Sequence, residues 1–137
     1  MKFTRNWLIV TGLWYVSNLP QLWPSVFGPM LPKVYPGVEL HQAEPVFRLM
    51  TDLWLFVGGT IAAIGLVNLW GARNPAKYLA LIPVAIAMEL YGAVWDIYSI
   101  TYSYEAPVIA AFTIAIHAVI IVTGIIAWKK ASAAQPA

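Results

Sequence analysis

The chain has no cysteine, which removes disulfides, cysteine-held zinc, iron–sulfur ligation and thiol nucleophiles from consideration. Charge is scarce as well. Only 10% of the 137 residues are Asp, Glu, Lys or Arg, against about 25% in an ordinary soluble domain. The net charge of +2 sits at the ends of apolar runs, which gives a nucleic-acid partner no support. A leader-type cleavage site is also missing. The basic start Met1–Asn6 feeds an apolar stretch, but no A-x-A site follows and the stretch runs on through Trp23 and Phe27, so it is expected to be retained as a first span.

What the chain has in quantity is apolar surface. Hydrophobic residues make up 61% of it and the mean hydropathy is +0.71. The sequence holds four runs of the roughly 20 residues that a bilayer core requires, near 7–27, 46–70, 78–102 and 107–128. The expected fold is all-α: one domain over 1–137, an integral membrane four-helix bundle in up-down order. Pro20 and Pro24 break the end of the first run. The loop Gly28–Pro45 carries Pro29, Pro32 and Pro36 and reads as an extended cap. The short turn Gly71–Pro75 makes the second and third spans antiparallel neighbours, Pro83 kinks the third, and the tail ASAAQPA reads as disordered. Gly58, Gly59, Ala62, Ala63 and Gly65 offer small surfaces for close packing.

Basic residues set the orientation. Lys2, Arg5, Arg73, Lys77, Lys129 and Lys130 share one side, leaving Lys33 and Arg48 on the other with Glu39, Glu44 and Glu105. Both termini are expected in the cytoplasm, with the chain in the bacterial inner membrane.

Acids inside apolar runs are the informative exception. Glu89 and Asp96 lie seven residues apart, close to two helical turns, so with Gly92 and Ser99 they form one polar stripe. A charge at the bilayer centre costs at least ~2.5 kcal/mol, so the stripe is expected to face protein. At ~1.5 Å per residue, Glu89 and His117 fall near mid-membrane. Asp52, Asp96, Arg48 and Asn18 fall in the outer third. Two layers follow: a deep Glu89–His117 pair, and an outer group in which Arg48 and Asp52 pair at i, i+4. Thr113 and Gly124 share the face of His117. Of seven Trp and seven Tyr, Trp14, Trp54, Tyr91 and Trp95 lie too deep for an interfacial belt and are candidates to stack on a ligand.

The order Asp52-Leu53-Trp54, then Glu89-Leu90-Tyr91-Gly92 with Asp96-Ile97-Tyr98, then His117 followed by Ile120-Ile121 and Gly124, resembles the BphX-like family of small bacterial membrane proteins. The likeness covers nearly the whole chain. It implies an integral four-helix protein and supplies no catalytic residues to carry over; the Gly28–Pro45 loop has no match in it. A looser likeness, without a specific motif, is to the sterol-isomerase and emopamil-binding proteins.

Several functions compete. The polar groups can simply lock helix order, although such pairs average only about 0.6 kcal/mol in membranes. A pocket for a small hydrophobic or aromatic compound uses Glu89, Asp96, His117, Asp52, Asn18, Trp54, Trp95, Tyr91 and Trp14 as ligand-binding residues. In that pocket Glu89 and His117 are the catalytic candidates, shuttling protons as in a double-bond isomerase. Proton-coupled transport is the third class, weakened by a first span that has no acid. The expected partners are the lipid bilayer and a small hydrophobic ligand, with a homo-oligomer left open. No cofactor and no metal are expected: His117 is the one intramembrane His, Met50 and Met88 are not forced opposite it as haem ligands, and His41, Glu39 and Glu44 read as solvated loop residues.

Overall fold

The computed structural model describes residues 1–134, and all regular structure among them is helical. The elements are α1 (Lys2–Gln21), α2 (Pro24–Phe27), a 3-10 turn over Gly28–Met30, α3 (Leu31–Val34), α4 (Pro45–Gly71), α5 (Leu81–Tyr102) and α6 (Pro107–Ser132). Of the tail, Ala131 and Ser132 are not disordered but continue α6; residues 135–137 lie outside the described residues.

Proline starts helices here more often than it breaks them. Pro45 and Pro107 occupy the first turns of α4 and α6, where a missing N–H costs nothing and φ is already helical. Pro83 falls in the first turn of α5 for the same reason, because that helix begins at Leu81 and not at residue 78. Prolines also open the short turns after α1. The loop is therefore a compact helical strap at its start rather than an extended cap. Leu31, Val34 and Tyr35 are buried in it against Phe47.

Helices α4, α5 and α6 are each long and apolar enough to cross a membrane. Helix α1 has the length, at 20 residues, but Lys2, Arg5, Asn6, Ser17, Asn18 and Gln21 lower its hydropathy, so it does not join that set. The burial pattern is inverted relative to a soluble domain. Phe56 is 74% exposed and Val108 82%, whereas Glu89 is 3% exposed. Apolar surface of that extent needs an apolar neighbour.

Two close pairs build the bundle. Helix α1 lies along α4, and α5 lies along α6, while α1 also touches α6. The first pair closes through glycine. A Cβ at Gly65 would sit 2.7 Å from the Gly12 carbonyl oxygen, and one at Gly12 would sit 2.9 Å from that of Gly65. Gly58 faces Leu22 and Asn18 in the same antiparallel register, whereas Gly59 faces open space and Ala63 is exposed. Trp7 Nε1 donates to Thr123 Oγ1 at 3.0 Å, and Thr4 Oγ1 to the Ala127 carbonyl at 3.2 Å, which fixes α1 on α6. The helices thus run in the spatial order α4, α1, α6, α5. The expectation that the second and third spans are neighbours fails: contact between α4 and α5 is slight, because α1 occupies the small-residue face of α4.

Apolar clusters close both ends. One contains Trp7, Leu8, Tyr15, Ile82, Ala85 and Ala127. The other contains Leu31, Val34, Tyr35 and Phe47 under the strap. The polar side chains of α5 lie between them.

Candidate functional site

Helix α5 presents Glu89 and Asp96 to α6, with Gly92 between them. On α6 the matching pair is Thr113 and His117, four residues apart and hence on one face. The imidazole seats over Gly92: a Cβ there would lie 2.6 Å from Cε1 and 2.9 Å from Nε2 of His117. Glycine is thus the space that lets the ring reach α5. His117 Nδ1 is 2.5 Å from Glu89 Oε2, and Nε2 is 3.4 Å from Asp96 Oδ2. Thr113 Oγ1 donates to Asp96 Oδ2 at 2.5 Å. Glu89 and Asp96 are 3% and 8% exposed.

One imidazole bridges two carboxylates, so the expected separation of a deep Glu89–His117 pair from an outer Asp96 does not hold. Axial rise places the backbone and not the carboxyl group. A ring seated midway over Gly92 has one nitrogen for the acid a turn below and the other for the acid a turn above. Neutral imidazole carries one N–H, so filling both N···O contacts with a proton requires one more. That state has a charge of −1, and a further proton makes the cluster neutral. Among the described residues, these two His117 contacts are the ion pairs present.

Other polar side chains extend the cluster. From α1, the buried Tyr15 phenol is turned towards Glu89, without a hydrogen bond of its own. At the strap end of α5, Ser99, Tyr35 and Glu105 are buried together beyond Asp96. Burial pushes the Glu105 carboxyl above the usual carboxylate range; Ser99 opposes this and the Asp96 charge adds to it. Burial likewise pushes the Tyr35 phenol up, against Ser99 and with the Glu105 and Asp96 charges.

The remaining sequence candidates are not gathered here. Asp52 and Arg48 are exposed and form no ion pair with each other. The buried face of α4 passes through Phe47, Thr51 and Gly58, which turns Asp52 away. Asn18 donates to the Trp14 carbonyl at 3.0 Å. Trp54 packs under the strap against Phe27, ring centroids 5.3 Å apart. Tyr91 is exposed, and Trp95 stacks outward on Tyr98 at 5.6 Å. Trp14 lines a groove between α1 and α6 with a volume of about 360 Å³, walled also by Val10, Phe112, Ile116 and Val119. No acid or imidazole lines that groove. Tyr15, Tyr35 and Glu105 were missed as site residues. Glu105 lies beyond the end of α5 and off the Glu89–Asp96–Ser99 stripe, brought back by the turn at Tyr104, so periodicity does not mark it; nothing periodic marks the two tyrosines either.

Comparison with known proteins is consistent over almost the whole length. A family model described as BphX-like matches residues 1–133. An uncharacterized BphX-like protein of Burkholderia cepacia is 44% identical over 129 residues, covering 94% of this chain and 93% of the relative. A BphX-like protein of Paraburkholderia xenovorans, likewise described as uncharacterized, matches with the same identity and coverage. No solved structure matches.

Proposed function

The chain belongs to the BphX-like family, and from that premise we propose a four-span protein of the bacterial cytoplasmic membrane, both termini inside, that binds and releases protons at the Glu89–His117–Asp96 cluster. The fourth span is α1. What supports this is its register along α4, a helix apolar enough to cross, with Gly12 at Gly65 and Asn18 at Gly58. Its polar residues either meet protein or lie near the ends. The placement of Lys and Arg sets the direction.

The single observation that carries the proton reading is the imidazole held between two carboxylates on Gly92. Net charge in hydrocarbon is expensive, and a cluster that can change its proton number changes its net charge there. A pair that serves only to lock helices needs one acid, not two. Infrared spectra of the protein in lipid nanodiscs, recorded against pH, test this. A protonated-carboxyl band should appear and vanish with pH, and Glu89→Gln should remove its main component. Gly92→Ala displaces the ring without removing any titrating group, so it should move the midpoint of that band. A band absent from the unaltered protein, or identical in both variants, overturns the reading.

The α1–α6 groove favours a second reading, the binding of a small hydrophobic compound. Its volume lies in the range of small-molecule sites, about 300–1,000 Å³. An acid–base reaction on such a compound needs a carboxyl or imidazole within hydrogen-bond reach, which the apolar walls do not supply, so this reading is one of binding without isomerisation. Trp14→Ala should weaken partitioning of a naphthalene probe into the protein, measured by probe fluorescence. Equal uptake by both forms would remove the groove from consideration.

A further inference from the structure

Ser99 is fully buried, and its hydroxyl makes no hydrogen bond of ordinary geometry, although Tyr35 and Glu105 lie close enough to interact with it. A buried hydroxyl in that state is ordinarily satisfied by water or a small polar ligand. The groups around it are Asp96 one turn below, the Tyr35 phenol from the strap and the Glu105 carboxyl from the α5–α6 link. All three are less than a tenth exposed.

The local backbone is arranged to bring Glu105 there. Tyr104 has φ of 59°, the one positive value at a non-glycine residue among the described residues, a conformation that such residues adopt only where their surroundings enforce it. That turn folds the chain back over the end of α5, and Glu105 N–H donates to the Ser99 carbonyl at 3.2 Å. The strap is tied to the same place by Ala106 N–H donating to the Val34 carbonyl at 2.7 Å. Without the αL turn Glu105 would continue outward into solvent.

We infer that Ser99, Tyr35, Glu105 and Asp96 enclose a buried water site beneath the strap, through which protons pass between Glu105 at the outer end and the Glu89–His117–Asp96 cluster. This rests on the reading of that cluster as a proton site. Four polar groups gathered around one hydroxyl match the two to four partners that a buried water takes. In the transfer, the Glu105 carboxyl releases a proton to the water and the water releases one to an Asp96 carboxylate oxygen, so no bond other than O–H is made or broken. The groups facing Asp96 are His117 and Thr113 from α6, Tyr35 from the strap and Glu105 from the link. From α4, Phe47 packs in the cluster that holds Tyr35 and Trp54 approaches its phenol, and neither side chain titrates.

The inner half offers no comparable route. Its buried polar groups are Thr11, which donates to the Trp7 carbonyl at 2.8 Å, Thr4 on Ala127, the Trp7–Thr123 pair and the Asn68 amide. The Asn68 amide there and the Tyr15 phenol at Glu89 are also without a hydrogen-bond partner. Among the described residues, however, no buried acid lies on that side to exchange a proton with solvent, so the proposed access is from the strap end.

A pH jump on nanodisc-embedded protein, followed through the carboxyl infrared band, tests the route. Ser99→Ala and Glu105→Gln should each slow both uptake and release roughly tenfold or more, short of the hundredfold that a fully positioned proton carrier gives. Wild-type rates in both variants overturn the water route and leave the cluster reading standing; a wild-type protein with no titrating band overturns both. Thermal unfolding gives a second readout. If water bridges Ser99, the alanine variant loses that bridge and melts lower. If the hydroxyl is truly orphaned, alanine removes a buried unsatisfied group and the protein melts higher, a result that overturns the proposal.

Discussion

Replacing His117 with Ala should lower the stability of the protein by about 3–5 kcal/mol near neutral pH, the usual cost of removing one partner from a buried ion pair. The reason is what stays behind. Glu89 and Asp96 would face each other across Gly92 with no cation between them, both still buried. The defect should shrink as the pH falls, because carboxylates that have lost their counter-ion must take up protons to remain buried. A triple variant with Leu at 89, 96 and 117 should recover much of the loss, since neutral replacement of a whole buried ion group is often tolerated or stabilising. That variant would have lost the cluster's share of the infrared carboxyl response, leaving that of Glu105. Unfolding midpoints in lipid nanodiscs for wild type, H117A and the triple variant separate the two roles. H117A as stable as wild type at every pH would mean that the imidazole is not a counter-ion.

The second large effect is expected at Gly65→Val. The new Cβ would lie 2.7 Å from the Gly12 carbonyl oxygen, 2.8 Å from Tyr15 Cβ and 2.9 Å from the Val16 nitrogen. Two of these three atoms belong to the backbone of a packed helix and cannot swing aside. Helix α1 must move as a unit, at a cost of about 1–3 kcal/mol for overpacking. The shift also carries Tyr15 away from Glu89, so it should disturb the carboxyl spectrum more than 20 residues downstream. Gly59→Val is the matched control, because nothing lies within 4 Å of its Cβ. Equal melting temperatures for the two valine variants would show that the α1–α4 contact is not close.

The heart of the site was legible because it follows from periodicity. Seven-residue spacing puts Glu89 and Asp96 on one face of any helix, and the cost of charge in hydrocarbon turns that face inward. Depth counting brought His117 to the level of Glu89. It failed for Asp96, since rise per residue ignores the reach of a glutamate side chain and the two opposed nitrogens of a ring. Asp52 was misplaced for a different reason. As the eighth residue of α4, it is about 10 Å from the helix start, near enough to water that facing inward is not enforced. The partners of α4 were hidden because a short link constrains the distance between helix ends, not the packing along their lengths. Glycine content decided that instead, and Gly12 in α1 matters as much as Gly65 in α4. The strap was misread because proline forbids the interior of a helix but suits its first turn.

Helix α1 combines two properties that pull against each other: it is the least apolar of the long helices and the one enclosed by two others. In the proposed arrangement it also emerges from the ribosome before α4 and α6, when neither yet exists to shield Thr4, Thr11 or Asn18. The bilayer alone gives it weak reason to stay. Its final seat depends on Gly58 and Gly65, synthesised dozens of residues later, so biogenesis runs partly backwards and the late segments recruit the early one.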